Sequence, residues 1–241
     1  MTRLVICVFG CVTIPKYAEE IRTINRTWGS GGKILFFLGE ERSHEFVGDQ
    51  YIYLPGVKND YLSASYKQFL GLKYAYEHFN PDFVHCCGTD TFVNVPKMLQ
   101  LLTTYDPLDN LYIGGHGDSR DVLGKTYYFH SGGPGFVLSR VCLQAIYPRC
   151  AILVDEWIKI CVNAQNMIPW CDVAISYFLH TTIDDLKIVK IPGLVFIHCS
   201  HHGYPCHIGQ VDMRDIVCCH NMSLRDSDEF YGILLKNNFW V

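Results

Sequence analysis

A single carboxylate follows a short apolar run in the stretch HCCGTDTFV, residues 85–93. Asp90 comes just after the predicted strand DFVHCC, where a carboxylate can hold a divalent cation that bridges phosphates. Aspartate and threonine are also ordinary turn residues, and on this pattern alone a plain turn is the commoner explanation. The stretch therefore defines a candidate metal site, with a structural turn as the alternative.

Two further stretches have residue types that could serve a ligand. The glycines of HSGGPGF, residues 130–136, would let a backbone approach a ligand closely, or would serve a tight turn before a strand. The stretch lacks the GxGxxG and P-loop patterns. The Cys/His-rich tail, HCSHHGYPCH at 198–207 and CCH ending at His220, could bind zinc, but it has neither a paired CxxC nor an HxxxH helix, and packed cysteines with surface histidines are the commoner explanation.

Composition narrows the class of protein. A chain of 241 residues, 49% of them hydrophobic, can bury the core of one large domain. Its formal net charge of -4 and its lack of a long Lys/Arg run argue against nucleic acid or an anionic membrane as partner. The apolar stretch LVICVFGCV is too short to span a bilayer, so it predicts a buried first strand and no membrane insertion.

The cysteines bear on the cellular compartment. Twelve cysteines in a chain of this size favour reduced thiols over the disulfide framework of a small secreted domain. The glycosylation sequon at Asn25 falls in a predicted helix, whereas glycosylation requires an exposed loop. A second sequon lies at Asn221. We expect a cytoplasmic protein if the chain is full length, and a Golgi lumen protein if an N-terminal anchor has been trimmed.

Strand and helix patterns alternate through the first half, which predicts an α/β fold with a mostly parallel sheet and covering helices. RLVICVFG, KILFFLG, QYIYLPG and DFVHCC read as strands, and KYAEEIRTINRTWG reads as a helix with Ile21, Ile24 and Trp28 at helical spacing. Asp60 is the predicted N-cap of a second long helix. Asp90 would therefore lie at the carboxyl end of a sheet strand, where open α/β folds bind ligands.

The second half is less regular. YYFHSGGPGFVLSRVCLQAI combines a Gly/Pro turn with a strand and a helix, WCDVAISYFLH reads as a helix from Asp172, and LKIVKIPGLVFIHCS supplies short strands. We find no repeat or linker. The chain is expected to form one domain with a nucleotide-sugar-binding half, residues 1–105, and an acceptor-binding half, residues 106–241.

Seven motifs occur in the order found in a known family. These are IRTINRTWG, KILFFLG, DYLSASYKQFLGLKYAYEHF, DFVHCCGTDTFVNVPKML, YYFHSGGPGFVLSR, WCDVAISYFL and DIVCCHNMS. Together they resemble the β-1,3-glycosyltransferases related to Fringe, the core 1 galactosyltransferases and the β-1,3-N-acetylglucosaminyltransferases. The resemblance implies a GT-A (Rossmann-like) fold with helices on both faces of the sheet. It also implies inverting transfer of a sugar from a UDP-sugar to a hydroxyl of a glycan acceptor.

The resemblance also implies roles for single residues. Gly88, Thr89 and Asp90 fall on the family's run of three aspartates, of which only Asp90 is kept, as a metal ligand to the UDP pyrophosphate. His220 falls on the histidine that completes the metal shell, for Mn²⁺ or Mg²⁺. Asp172 falls on the aspartate of the family's EDV motif, the general base, and the preceding acid is replaced by cysteine.

Further matches concern the donor. Lys67 matches a lysine that could meet the diphosphate or the uracil, with a solvated helix charge as the alternative. Arg22 falls in the R..R.TW signature and is expected to face the nucleotide. Gly132 and Gly133 fit a glycine turn beside the donor sugar, where close approach would be their role.

Several alternatives stay open at this stage. Loss of two aspartates is compatible with a catalytically inactive chaperone or glycan-binding module, and the tail with a zinc-dependent binding protein. If Asp172 is not the counterpart of the family's base, the base could be one of four other acids, Asp155, Glu156, Asp184 or Asp185. No motif distinguishes galactose, N-acetylglucosamine, glucose or xylose as the donor sugar.

Overall fold

Strands and helices alternate along the part of the chain that the computed structural model describes, residues 2–60, 63–164, 167–195, 213–238 and 240. The strands are β1 (Leu4–Phe9), β2 (Lys33–Leu38), β3 (Tyr51–Tyr53), β4 (Phe83–Gly88), β5 (Phe92–Val93), β6 (Leu111–Gly114), β7 (Gly117–Val122), β8 (Lys125–His130), β9 (Phe136–Ser139), β10 (Lys187–Lys190), β11 (Leu194–Val195) and β12 (Cys218–Cys219). The α-helices are α1 (Pro15–Arg26), α2 (Ser63–Phe79), α3 (Val95–Leu102), α4 (Arg140–Ile146), α5 (Leu153–Asn163), α6 (Cys171–Thr182) and α7 (Leu224–Lys236). Short 3₁₀ turns cover Trp28–Gly31, Tyr147–Arg149 and Met213–Asp215.

A seven-stranded sheet forms the centre, in the order β10-β6-β9-β4-β1-β2-β3. Strand β9 is antiparallel to both β4 and β6, and the other pairings in this sheet are parallel. Strands β11, β12 and β5 form a small second sheet, and β7 and β8 form a hairpin. The predicted mostly parallel α/β sheet is confirmed.

Helices cover both faces of the sheet, as expected. The side chains of Val5 and Cys7 join a core cluster with residues of α2, α4, α5 and α6. Those of Leu4, Ile6 and Val8 join a second cluster with α1, α3 and α7. Because successive side chains of a strand point to opposite faces, the continuous apolar run of β1 reflects burial on both sides.

Local sequence explains where the helices beside the site begin. Asp60 Oδ1 accepts a 2.9 Å hydrogen bond from the backbone N–H of Ser63, the first residue of α2, which confirms the predicted cap. Helix α1 has Pro15 at its first position, where a missing N–H costs nothing. These two residues therefore mark the starts of α2 and α1 in the sequence.

The antiparallel strand β9 brings a second segment of the chain to the edge of the sheet where β4 ends. Cys86 of β4 lies opposite Phe136 of β9, so the turn before β9 lies at the same edge as the residues that follow β4. The glycine-rich turn at 131–135 and the stretch at 88–90 are thereby neighbours. Two segments far apart in the sequence meet at one edge.

The second-half patterns are also largely reproduced, since β9, α4 and α6 fall where a strand and two helices were expected, and α6 begins at Cys171. The strand pattern predicted near residues 186–200 yields β10 and β11 within its described portion. Strands β6, β9 and β10 of the second half lie in the same sheet as β1 to β4. No helix among the described residues is long and apolar enough to cross a lipid bilayer.

Candidate active site

Two adjoining cavities open at the carboxyl edge of the sheet. The larger has a volume of about 520 Å³ and the smaller about 320 Å³. They share four lining residues, Phe9, Ala64, Gly88 and Asp90. Asp90 thus lies on the boundary between two spaces, one of which also contains Asp172 and His220 and the other Lys67.

Asp90 and His220 form a close pair in the larger cavity. Strand β12 pairs with β5, with Cys219 opposite Phe92, and this pairing brings the chain after β12 beside the chain after β4. The His220 Nε2 and Asp90 Oδ2 atoms are 3.3 Å apart, and both side chains are partly exposed to the cavity. Asp90 and His220, which were expected to share a metal site, are therefore adjacent in the structure.

The environment of Asp90 suits a cation ligand. Burial by itself would raise the pKa of its carboxyl, but the hydrogen bond and positive charge of His220 outweigh that effect and hold the pKa below the ordinary value. A carboxylate oxygen and an imidazole nitrogen are both acceptable ligands of Mn²⁺. Asp90 and His220 could therefore supply two ligands to such a cation. Among the described residues, no group of three or more His, Cys, Asp or Glu side chains is placed to hold a metal ion.

Asp172 lies in the first turn of α6, and two backbone groups fix its carboxylate. Oδ2 accepts a 3.0 Å hydrogen bond from the N–H of Gly132, and Oδ1 accepts a 2.9 Å bond from the N–H of Val173. Burial raises the pKa of Asp172, although the two backbone bonds oppose the rise. A carboxylate of raised pKa is a stronger proton acceptor, which is the property a general base requires.

The turn at Gly132 and Gly133 fits between Asp172 and His220. A Cβ atom on Gly133 would lie 2.4 Å from Nδ1 of His220, and one on Gly132 would lie 3.1 Å from Cβ of Asp172. The Thr91 hydroxyl donates a 2.8 Å hydrogen bond to the carbonyl of Gly133 and so ties this turn to the stretch that contains Asp90. A side chain at position 133 would overlap the His220 ring, and one at position 132 would crowd Asp172, so glycine suits both positions.

Lys67 is buried and lines the smaller cavity, so the alternative of a solvated helix charge is wrong. Its ammonium donates to the carbonyl oxygen of Gly10 at 2.7 Å and to Oδ1 of Asn59 at 3.1 Å. Burial lowers the pKa of Lys67. A cation held in a cavity by neutral oxygens keeps its charge available for an anionic ligand.

The arginines of the first motif have a different setting. Arg22 pairs with Glu19 at 2.6 Å and with Glu45 at 2.5 Å, and Arg26 pairs with Asp228 of α7 at 2.8 Å. Neither arginine lines the two cavities. The geometry therefore gives no support to the expected contact between Arg22 and a nucleotide. Trp28 is buried in the core.

The four alternative bases lie away from both cavities. Asp155 accepts a hydrogen bond from the Tyr66 hydroxyl, Glu156 pairs with Arg149, Asp185 accepts from Asn110, and Asp184 is exposed. Their positions favour Asp172 among the five acids.

Several residues at the site were missed by the sequence analysis. Lys16 and Tyr17 of α1 line the smaller cavity, and His116, Asp118 and Trp170 line the larger one. Strand β7, which supplies Asp118, has the mostly polar sequence GDSRDV and lacks the alternation of apolar residues that would predict a strand. For Lys16, its place just after the first strand was the available signal.

The Cys/His-rich tail falls only partly within the described residues. The stretch at 198–207, on which the zinc hypothesis mainly depends, lies outside the described residues. Ten cysteines fall within the described part of the chain, nine of them are buried, and no disulfide joins any two of the ten. Burial raises the pKa of several, including Cys86, Cys87 and Cys218, so these thiols are poor nucleophiles and metal ligands at neutral pH.

Comparison with solved structures shows where this fold has been seen. A glycosyltransferase involved in the glycosylation of the major capsid of PBCV-1 superposes with a TM-score of 0.54 and 15% identity, covering 96% of this chain and 99% of that one. The glycosyltransferase GlyE of Streptococcus pneumoniae TIGR4, in its apo form, also gives 0.54 at 12% identity, covering 99% of this chain and 63% of that one. These likenesses establish the GT-A fold.

Comparison of sequences identifies the family. UDP-GalNAc:beta-1,3-N-acetylgalactosaminyltransferase 1 of Sus scrofa is 20% identical, over 92% of this chain and 72% of its own, and the protein of that name from Pongo abelii gives the same values. The sequence profile of the Fringe-like family matches residues 57–192, more than half of the chain, including Asp90 and Asp172. The chain therefore belongs to the Fringe-like family and is a glycosyltransferase of GT-A fold.

Proposed function

We propose that this protein is an inverting glycosyltransferase that moves a sugar from a UDP-sugar to a hydroxyl of a glycan acceptor. The observation that carries the proposal is the larger cavity, where Asp172 and the Asp90–His220 pair face one space of about 520 Å³. One carboxylate is fixed by backbone amides and the other is paired with a histidine. These different surroundings suit Asp172 to act as a base and Asp90 to bind a cation.

The donor would occupy the smaller cavity and extend past Asp90 into the larger one. Lys67 and Lys16 line the smaller cavity and supply positive charge for a diphosphate. The relatives from Sus scrofa and Pongo abelii are named for UDP-GalNAc, which supports a UDP-sugar as the donor class. Cavity position and charge therefore agree with a nucleotide diphosphate.

Asp90 and His220 would hold Mn²⁺ or Mg²⁺. When bound, the cation would stabilise negative charge on the departing diphosphate. The Thr91 bond to Gly133 and the approach of that glycine to His220 would keep both side chains in place. Two protein ligands make a smaller set than the family's aspartate run implies, so we expect a lower affinity for metal in the absence of UDP.

Asp172 would act on the acceptor. Its carboxylate takes the proton of the acceptor hydroxyl as that oxygen attacks the anomeric carbon. The bond from this carbon to the diphosphate oxygen breaks, UDP leaves with the bonding electrons, and the proton stays on Asp172 until it reaches solvent. Attack from the face opposite the leaving group inverts the anomeric centre. A single carboxylate suffices because UDP is a good leaving group.

The alternative of an inactive chaperone or glycan-binding module is less well supported. Such a protein has no chemical need for a carboxylate that is buried, held by two N–H groups and raised in pKa. It also has no need for the Asp90–His220 pair at the same cavity.

Thermal unfolding with nucleotides tests the donor class. UDP at one hundred times its Kd would stabilise the folded chain by about 2.7 kcal/mol, or roughly 5 to 10 °C in melting temperature for a protein of this size. ADP at the same concentration serves as the control for the base, and Mn²⁺ should add to the shift with UDP. If UDP gives no shift with or without metal, the proposed function is wrong.

A screen of UDP-sugars follows from a positive result. Release of UDP from one sugar in preference to the others would identify the donor, and the anomeric configuration of the product would test inversion. Binding of UDP without turnover of any tested UDP-sugar in the presence of glycan acceptors would instead favour the inactive module.

A further inference from the structure

A buried carboxylate from helix α1 lies beneath the metal and donor site. The Thr89 hydroxyl donates a 2.5 Å hydrogen bond to Oε2 of Glu20. Only 5% of Glu20 and 8% of Thr89 is exposed. The bond joins residues 69 positions apart in the sequence, and Thr89 stands where the family's run would have an aspartate.

The other oxygen of the same carboxylate faces a donor-site cation. Oε1 of Glu20 lies 3.7 Å from Nζ of Lys16, and Lys16 lines the smaller cavity together with Thr89 and Asp90. Burying a carboxylate is unfavourable unless its oxygens find partners. Here each oxygen has one, and both partners line the smaller cavity.

Thr89 is held from a second side as well. A Cβ atom on Gly10, just after β1, would lie 2.8 Å from Cγ2 of Thr89, so the threonine methyl packs closely against the end of that strand. With its hydroxyl bound to Glu20 and its methyl against Gly10, the Thr89 side chain has little freedom. The next residue in the chain is Asp90, whose orientation depends on this turn.

We infer that Glu20 is a positioning residue of the donor site, which holds the turn of Thr89 and Asp90 through one oxygen and Lys16 through the other. The inference depends on the proposed function, since it assigns Glu20 to the same UDP and metal site. The family's run would have an aspartate at position 89, where this chain has Thr89. Here the Glu20 carboxylate of α1 lies beside that position and fixes the turn that contains Asp90. Residues that orient metal ligands typically affect metal affinity ten- to a hundredfold.

Titration calorimetry of Mn²⁺ into protein saturated with UDP tests this role. Glu20→Ala and Thr89→Val, which removes the hydroxyl but keeps the shape, should each raise the Kd for Mn²⁺ about tenfold or more. The double variant should bind no more weakly than the weaker single variant, because both changes break the same bond. Thr89→Ser and Glu20→Gln keep a donor and an acceptor and should retain most of the affinity.

The calorimetric readout separates positioning from general support of the fold. A variant that is only less stable would show fewer binding sites per chain and an unchanged Kd, and that result would overturn the inference. Glu19→Gln, on the same helix but at the surface, is the matched control and should leave Kd unchanged. If Glu20→Ala does not fold, the Thr89→Val and Thr89→Ser pair decides the question.

Failure of the inference differs from failure of the proposed function. Wild-type protein that binds UDP and Mn²⁺, with Glu20→Ala and Thr89→Val binding both equally well, would overturn the positioning role alone. Wild-type protein that does not bind UDP would overturn the proposed function and this inference together.

Discussion

The backbone N–H of Gly132 donates a 3.0 Å hydrogen bond to the carboxylate of Asp172. The next residue, Gly133, approaches the His220 ring so closely that a Cβ atom would overlap it. One glycine turn therefore sets the positions of both the proposed base and the proposed metal ligand. Because β9 is antiparallel in the sheet, this turn lies at the edge where β4 ends, and the two functions share one rigid element.

Replacing Asp172 by asparagine should abolish transfer while sparing donor binding. The change nearly preserves shape but removes the proton acceptor, so turnover should fall by about a hundredfold or more. The Kd for UDP should stay near the wild-type value, because Lys67 and Asp90 are untouched. Turnover with the preferred UDP-sugar and calorimetry with UDP provide the two measurements.

The asparagine side chain has one acceptor oxygen where the carboxylate has two. One of the two N–H groups, of Gly132 or Val173, would lose its partner, which should destabilise the fold by about 1–3 kcal/mol. Assays below the melting temperature remove that effect. Glu156→Gln is the matched control, because Glu156 pairs with Arg149 away from the cavities. Near-normal turnover of a folded Asp172→Asn variant would show that another group is the base.

The strands and helices around the central sheet could be predicted because the signals for each of them lie within a short stretch of sequence. The run around β1 is apolar over its full length because both faces are buried, and Asp60 caps α2 through a residue three positions away. Asp90, Asp172 and His220 were expected to share a site from their resemblance to family motifs, and the structure brings them to one cavity. These three residues lie close together because β12 pairs with β5 and β9 pairs with β4, and such pairings between distant segments cannot be recognised in a short stretch of sequence.

Contacts between distant segments explain what the sequence did not predict. A lysine at an exposed helix position and one at a cavity wall look alike in sequence, so the burial of Lys67 against Gly10 could not be derived. The same holds for Arg22, whose partner Glu45 comes from a loop. Glu20 looks in sequence like an ordinary surface residue of a helix, and its burial and its bond to Thr89 involve a segment 69 positions away.

Lys67 and Arg22 should therefore differ sharply in their effect on donor binding. Lys67→Met keeps the length of the side chain and removes the charge from the smaller cavity, so the Kd for UDP should rise by about tenfold or more, the usual range for a hydrogen bond to a charged group. Arg22→Gln breaks exposed ion pairs, which contribute little to stability, so it should leave both the melting temperature and the Kd for UDP nearly unchanged.

Calorimetry with UDP on both variants and the wild type measures these effects, and circular dichroism confirms that each variant is folded. A loss of affinity in Arg22→Gln equal to that in Lys67→Met would restore the original assignment of Arg22 to the nucleotide. It would also mean that the ion pairs with Glu19 and Glu45 give way when the donor binds.

Histidine 85 should make the fold less stable in mild acid. His85 lies buried in β4, its Nε2 donates a 3.2 Å hydrogen bond to the Pro134 carbonyl, and its Nδ1 finds no hydrogen-bond partner among the described residues. Burial lowers the pKa of His85 to about 4. In the unfolded chain a histidine titrates near 6.5, so between these values the unfolded state binds more protons, and the free energy of unfolding falls as pH decreases.

The contribution of His85 to the free energy of unfolding should fall by about 2 kcal/mol between pH 7 and pH 5. Urea unfolding at the two pH values, for wild type and His85→Gln, isolates it. Glutamine retains an N–H for the Pro134 carbonyl and does not titrate. Buried His130, whose pKa is also lowered to about 4, contributes equally in both proteins and cancels in the difference. An identical pH dependence in the two proteins would mean that His85 is not held neutral beneath the Gly132–Gly135 turn.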